Sequence, residues 1–313
     1  MKNEKVQNSK IAENSEITDT IGKMSMNAAR EYMDPKDVDC VIYHFPCADG
    51  FGAYFAAKFN LERKIKYIGL NYDKECPYIE GKNILVVDFS FKREKLEELR
   101  QKNRVMILDH HLSAQMELKN VEGAFFDIYK SGAVLAWEYF SDDKVPYFLE
   151  LIQDIDLWKF KLEDSEAFNI VLKMHPFRYK TFLEYYNEWA LQKTIQKGRI
   201  ILEYNNSIIL SESKKAQKRI LSTPIGSKYV VKVLNSSAQW LASQIGSKIT
   251  NGSNEIALLW FYNHKSEQYI VSLRASDTLI NVGEIAEQFG GGGHKGAGAF
   301  SLDKHVDTIL ENF

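Results

Sequence analysis

The chain has 313 residues, 45% of them hydrophobic and 26% charged, and 40 Lys+Arg against 42 Asp+Glu give a formal net charge of -2. The length suggests two domains, and the charge balance argues against a uniformly basic surface gripping long nucleic acid, though not against a local basic patch. With no apolar run long enough for a membrane span, no signal-like apolar region near the N-terminus, acidic Glu4, Glu13, Glu16 and Asp19, and only three cysteines (Cys40, Cys47, Cys76), the expectation is a cytoplasmic protein in a reducing compartment without a disulfide scaffold.

Residues 1–36 are polar and lack a steady apolar period, which predicts a flexible tail in which only Ile17 to Ala29 has helical character. From Val38 on, short apolar runs alternate with helical patterns. Strands are predicted at 38–43, 66–70, 84–87, 105–108 and 124–128, and helices at 50–59, 92–101 and 132–140. Such alternation argues for βαβ units and a parallel sheet with helices on both faces. Helical patterns follow at 145–153 and 179–205. After Pro224 and Gly226 the pattern changes to strands at 228–234, 255–262 and 268–273, with helices at 237–249 and 282–289. The expected organisation is an α/β protein: a tail over 1–36, a parallel-sheet domain over 37–190, a helical linker over 191–226 and a smaller mixed α/β domain over 227–313.

Polar residues with catalytic chemistry gather at predicted strand ends. The first strand runs into His44, Cys47 and Asp49, the next apolar run ends at Asp88, and the one after it ends in Asp109-His110-His111. In a parallel sheet, ligands bind at the carboxyl ends of the strands. An isolated Asp after a strand is usually a turn or cap residue, and an isolated His is usually surface or core. Several at neighbouring strand ends are another matter. Carboxylates packed together repel one another, and a divalent cation relieves that repulsion. A carboxylate-rich set with imidazole favours Mn²⁺ or Mg²⁺, with Zn²⁺ or Fe²⁺ as alternatives. Two ions roughly 4 Å apart would clamp the oxygens of a phosphoryl transfer. The second signal is Gly290-Gly291-Gly292-Gly293-His294-Lys295, read as a loop that cradles an anion on bare backbone N–H groups; the alternative is a flexible linker. Arg274 and Ser276, after a predicted strand, are candidate phosphate partners, with a surface salt bridge as the alternative for Arg274.

Asp109-His110-His111 after a buried strand resembles the signature triplet of the DHH phosphoesterase superfamily. His44-Phe-Pro-Cys-Ala-Asp49-Gly50 is similar to that family's first motif, Val-Val-Asp88 to its second, and Gln-Asp154-Ile-Asp156-Leu-Trp158 sits where the fourth is expected. Ser272-Leu-Arg274 with Gly290 to Gly298 resembles the DHH-associated domain. The resemblance spans about residues 38 to 300, in order. It implies an active site in the cleft between a DHH domain and its associated domain, two Mn²⁺ ions, and hydrolysis by metal-activated hydroxide. His44, Asp49, Asp88, His110 and Asp154 then look like metal ligands, with Asp88 bridging; of Asp154 and Asp156, Asp154 is preferred. Asp109 and His111 would support the ligands or contact the scissile phosphate, and Arg274, Ser276, Gly291, Gly292, Gly293, His294 and Lys295 would hold the substrate. Cys47 departs from the family's usual Asp, so it would be a thiolate ligand for a softer metal or a weaker holder of the first ion.

The implied substrate is a short oligonucleotide or nucleotide, with Phe45, Phe51, Trp158 and Trp240 as candidate stacking surfaces, set against core packing. A cyclic dinucleotide, pAp or polyphosphate is the alternative within the hydrolases. A nucleotide-binding protein that has lost turnover is the alternative of another class. No surface for long DNA and no membrane contact is expected, and a homodimer is compatible with the sequence.

Overall fold

The computed structural model describes residues 25–71, 74–250, 255–276 and 280–313. Contacts divide the chain into two compact units after Ile200, inside a helix that spans Glu188–Ser213.

In the first unit, β1 (Cys40–His44), β2 (Lys66–Leu70), β3 (Asn83–Val87), β4 (Arg104–Asp109) and β5 (Ala124–Phe126) pair in parallel in the order β2-β1-β3-β4-β5. Side chains alternate across a strand, so an apolar strand feeds two cores. Val41, Leu85, Val87, Met106 and Leu108 enter one core; Cys40, Ile42, Ile84, Val86, Val105 and Ile107 enter the other. Each such Leu, Ile or Val contributes about 1.5–3 kcal/mol by burial. The first core is closed by α1 (Met26–Tyr32), α2 (Ala48–Asn60), and several helices farther along the chain. The second is closed by α3 (Arg93–Arg100) through Leu96 and Leu99, with α4 (Leu112–Glu117) following β4. The later helices are α5 (Gly132–Phe140), α6 (Tyr147–Asp156), α7 (Ser165–Leu172), α8 (Tyr179–Tyr186) and α9 (Glu188–Ser213).

Three expectations differ here. Residues 26–32, assigned to a flexible tail, form α1, with Ala29 and Met33 fully buried. The Arg30 guanidinium donates to the carbonyls of Glu138, Tyr139 and Ser141, and Tyr139 Oη donates to the Met33 carbonyl at 2.6 Å. Two apolar anchors are too few to make a readable period, and the polar contacts are long-range. The rest of the proposed 17–29 helix lies outside the described residues. The single helix expected at 179–205 is two, because Asn187 leaves the helical conformation and its side chain accepts from the Ala190 N–H at 3.1 Å, starting α9 afresh. Finally, part of the presumed linker is a strand.

That strand, β6 (Gln217–Ser222), belongs to the second unit, whose sheet also holds β7 (Lys228–Asn235), β8 (Ile256–Asn263), β9 (Gln268–Ala275), β10 (Gly292–His294), β11 (Ala297–Leu302) and β12 (Leu310–Asn312). The order is β10-β11-β9-β8-β7-β6-β12, antiparallel except for the parallel pair β7–β8. Two helices, α10 (Ala242–Thr250) and α11 (Val282–Glu287), pack on separate apolar clusters of this sheet, α10 with Leu234 and Leu259, α11 with Val271 and Leu273. Among the described residues no helix is long and apolar enough to cross a membrane.

Candidate metal centre

The register of the parallel sheet assembles the centre. Tyr43 pairs with Val87 and Val87 with Leu108, so His44, Asp88 and Asp109 stand side by side at the carboxyl ends of β1, β3 and β4. Asp88 takes a left-handed backbone conformation (φ 54°), which Asp tolerates better than most side chains. Asp49 arrives on the first turn of α2. Its carboxylate accepts from the Gly132 N–H at 2.6 Å and the Ala133 N–H at 3.0 Å, at the amino end of α5. Backbone donors at a helix start favour an anion there.

Around Asp88 the other groups converge. His110 Nε2 lies 3.0 Å from Asp88 Oδ1, 3.6 Å from Asp49 Oδ2 and 3.5 Å from Asp156 Oδ2. His44 Nδ1 lies 3.6 Å from Asp88 Oδ2. Two donor sets lie around this carboxylate, His44, Cys47 and Asp88 in one and Asp49, His110 and Asp156 in the other, and a third, Asp88 with Asp109, His110 and His111, overlaps them; the donor atoms of each set lie within 4.8 Å of one another. Asp88 Oδ2 is buried and has no hydrogen-bond partner. An orphaned buried carboxylate oxygen is costly, and a cation between the two sets would supply the missing partner. The donors present therefore fit a pair of divalent ions.

The electrostatics agree. Burial, then the neighbouring Asp88 and Asp156 carboxylates, push the Asp49 carboxyl well above its ordinary range. Burial likewise raises Asp156, more than the facing His110 lowers it. Burial would raise Asp88 too, but the His110 and His44 imidazoles outweigh it and hold it at about 2. For His110, burial opposes the charge, yet its hydrogen bond to Asp88 and the surrounding carboxylates bring it to about 9. Burial, followed by Asp88, drives the Cys47 thiol to about 12, against the Gly50 and Asp49 backbone N–H groups. The crowded carboxylates raise one another, and that repulsion is what a bound cation would relieve.

Comparison with known proteins places the chain. Residues 226–313 match the DHHA1 domain family. Uncharacterized protein R106 of Acanthamoeba polyphaga mimivirus is 32% identical over 287 residues, 85% of this chain and 68% of that protein. The chain belongs to the DHH phosphoesterase superfamily. Among solved structures, the pGpG-specific phosphodiesterase PggH of Vibrio cholerae shares the fold of this DHH protein with a TM-score of 0.56 at 12% identity, covering 86% of this chain and 94% of that one. RecJ of Thermus thermophilus in complex with Mn²⁺ gives a TM-score of 0.43 at 12% identity, over 89% of this chain and 52% of that one.

Within the DHH triplet the roles divide. Asp109 is fully buried, and its Oδ1 accepts from the His110 N–H at 2.7 Å, the His111 N–H at 3.3 Å and His111 Nδ1 at 2.7 Å, while Ser90 Oγ donates to Oδ2 at 2.6 Å. With its lone pairs so engaged, Asp109 orients the His111 ring and fixes the backbone of both histidines, while the His110 ring is held by Asp88. It also favours the charged form of His111, whose Nε2 is left for another partner. Ser90, Gly132 and Ser131–Gln153, where the Ser131 N–H donates to Gln153 Oε1 at 3.0 Å, have no motif signal of their own. They support the centre through contacts visible only in three dimensions.

Asp154, preferred over Asp156 in the sequence as a ligand, does not join the cluster. Its carboxylate turns away from the cluster and accepts from the Lys161 N–H at 2.9 Å, the Leu162 N–H at 3.1 Å and Ser165 Oγ at 2.7 Å. It ties down the loop after α6, while Asp156, the last residue of α6, faces His110. Asp154→Ala is expected to cost about 1–3 kcal/mol of stability with metal affinity retained. Asp156→Ala is expected to keep the stability and lose at least ~10-fold in metal affinity. Urea unfolding and metal titration of both variants check the assignment, and the reverse pattern would return the ligand role to Asp154.

In the second unit the last two glycines of the run, Gly292 and Gly293, open a short strand, and Gly290 lies in the turn before it. A side chain at Gly291 would meet the Ala299 carbonyl oxygen at 2.1 Å, and one at Gly293 the Ala297 oxygen at 2.3 Å, so these two glycines admit a close strand approach. Gly292 has open space around it. His294 pairs with Ala297 and Ala297 with Arg274, which sets His294 and Arg274 on one face of the sheet with a small residue between them. The Arg274 guanidinium donates to the Leu273 carbonyl at 2.8 Å and to Ser243 Oγ at 2.9 Å. Ser276 is hydrogen-bonded to Thr250 Oγ1 at the end of α10. Lys295 is exposed.

Proposed function

We propose that this DHH protein hydrolyses phosphoester bonds in short oligonucleotides or nucleotides at a two-ion centre. The observation that carries the reading is the Asp88 carboxylate standing between two donor sets, with one oxygen on His110 and the other buried without a hydrogen bond. His44, Cys47 and Asp88 would hold one ion, and Asp49, Asp88, His110 and Asp156 the other. When bound, such ions supply a nucleophile from water at neutral pH and neutralise charge on the phosphate. The chain's own residues do the rest. Asp109 fixes the ring of His111 and favours its charged form, in which Nε2 can donate to a phosphate oxygen or to the leaving oxygen. In the second unit, Arg274 and His294 share one face of the sheet and are candidate contacts for an anion.

Two exposed aromatics favour a nucleotide over polyphosphate. Phe45, next to His44, is 38% exposed, and Trp158, two residues beyond Asp156, is 78% exposed with its ring edge-on to Phe160 at 4.7 Å. A large exposed aromatic is normally costly to leave in water, and a base stacked on it gains about 1–3 kcal/mol. Phe51 does not share this role, since it is buried among Phe177, Phe182 and Tyr54. The fold shared with a pGpG-specific phosphodiesterase makes a linear dinucleotide the first substrate to try.

The test is hydrolysis of a linear dinucleotide, a longer single strand, pAp, a cyclic dinucleotide and polyphosphate, with Mn²⁺ present and then chelated. Cleavage of the dinucleotide that stops on chelation is the expected result. Tight nucleotide binding with no turnover on any substrate would instead make the protein a binding module.

A further inference from the structure

We propose that the two halves of the centre take different ions: a softer one, Zn²⁺ or Fe²⁺, on His44, Cys47 and Asp88, and a hard one, Mn²⁺ or Mg²⁺, on Asp49, Asp88, Asp156 and His110. This rests on the reading of the cluster as a metal centre and adds its composition.

The two sets are chemically unequal. The first offers one sulfur, one imidazole nitrogen and the Asp88 carboxylate; the second offers the Asp49 and Asp156 carboxylates and the His110 imidazole, with Asp88 Oδ1 3.0 Å from that imidazole. Thiolate selects Zn²⁺ and Fe²⁺ over Mn²⁺ and Mg²⁺, and carboxylates do the reverse. Cys47 is placed for this by the fold. It occupies the residue before α2, in extended conformation (φ -138°, ψ 144°), and its carbonyl accepts from the Phe51 N–H at 3.0 Å. The buried Asp88 Oδ2, without a hydrogen-bond partner, belongs to the same set. It marks that set as a binding position independently of the cysteine. A side chain at Gly50 would stand 2.1 Å from the His44 carbonyl oxygen, so a glycine here lets the helix start close under β1 and bring Cys47 and His44 to one point. Ion binding replaces the S–H bond of Cys47 with a sulfur–metal bond and releases the proton to solvent. No oxidant or reductant enters.

The experiment loads the full-length chain with Zn²⁺ and Mn²⁺ together, removes excess, and counts each metal by plasma emission. About one zinc and about one manganese per chain are expected. In parallel, Co²⁺ is added as a spectroscopic probe. A thiolate-to-cobalt charge-transfer band should appear, persist in Cys76→Ser and vanish in Cys47→Ser. Cys47→Asp should convert the centre to two manganese ions and lower zinc affinity at least ~10-fold. Circular dichroism confirms that each variant folds, and Cys47→Asp keeps the question answerable should Cys47→Ser not fold. Two manganese ions in the native chain, or a charge-transfer band that survives Cys47→Ser, would overturn the proposal while leaving the metal centre standing. A chain that binds no divalent ion in any form would overturn both.

Discussion

Asp88→Ala is expected to lower turnover by on the order of 10³-fold or more while the protein stays folded. Asp88 belongs to the donor set of His44 and Cys47 and lies 3.0 Å from His110 of the other set, so its loss should weaken both ions together, whereas losing Asp156 or Cys47 should strip one. Electrostatics explain why the fold should survive. Removing this carboxylate costs His110 its 3.0 Å partner, but it also takes away the charge that, after burial, does most to raise Asp49. The two effects oppose each other, so the metal-free melting temperature should move by only a few degrees. The metal-induced rise in melting temperature is what should disappear, because stabilisation by a ligand follows its affinity for the folded state. Two measurements therefore go together: turnover of the substrate found above, and thermal melting with and without Mn²⁺. Normal turnover in Asp88→Ala would sink the two-ion arrangement. Lost turnover with an undiminished metal-induced shift would move the catalytic role of Asp88 away from ion binding.

How much of this was legible in the sequence follows from the range of the forces involved. β3 and β4 are short continuous apolar runs because both faces of the sheet are covered, and such runs announce themselves, as do the polar residues that end them. Hence His44, Asp88, Asp109 and His110 could be picked out before any coordinates. Asp154 and Asp156 could not be told apart. Residues two apart on a helix point roughly 200° away from each other, so one faces the cluster and the other the loop, and only the phase of α6 against the sheet decides which. The glycine run was ambiguous for another reason. Glycine permits loop and strand alike, and what makes β10 a strand is β11, whose backbone comes close enough to exclude a side chain at Gly293. The same holds for α1, whose attachment is a set of hydrogen bonds from Arg30 to carbonyls more than a hundred positions later in the chain. Sequence pattern reports local periodicity; it is blind to contacts that a distant partner supplies.

Gly132→Ala is expected to cost about 1–3 kcal/mol of stability and about 10²-fold in turnover, although Gly132 holds neither metal nor substrate. A methyl group there would sit 2.3 Å from Asp88 Cβ and 2.9 Å from Asp88 Cα, so either the amino end of α5 or the Asp88 backbone must give way. Neither can do so freely. Asp88 follows a strand whose Val86 and Val87 are fully buried, and its N–H donates to the Leu108 carbonyl at 3.1 Å. The start of α5 is held by the Gly132 and Ala133 N–H groups on Asp49. Retreat of the helix would lengthen both of those bonds and release Asp49, while a shift of Asp88 would spoil the shared ligand. Either path disturbs both donor sets at once, so the defect should appear as weaker metal binding before it appears as a changed Michaelis constant. Gly292→Ala is the matched control, since open space surrounds Gly292 and the added methyl should leave melting and metal affinity unchanged. Should Gly132→Ala bind Mn²⁺ as tightly as the native chain and turn over normally, the close approach of α5 would be a packing detail, and the spacing of Asp49 and Asp88 would have to be set elsewhere.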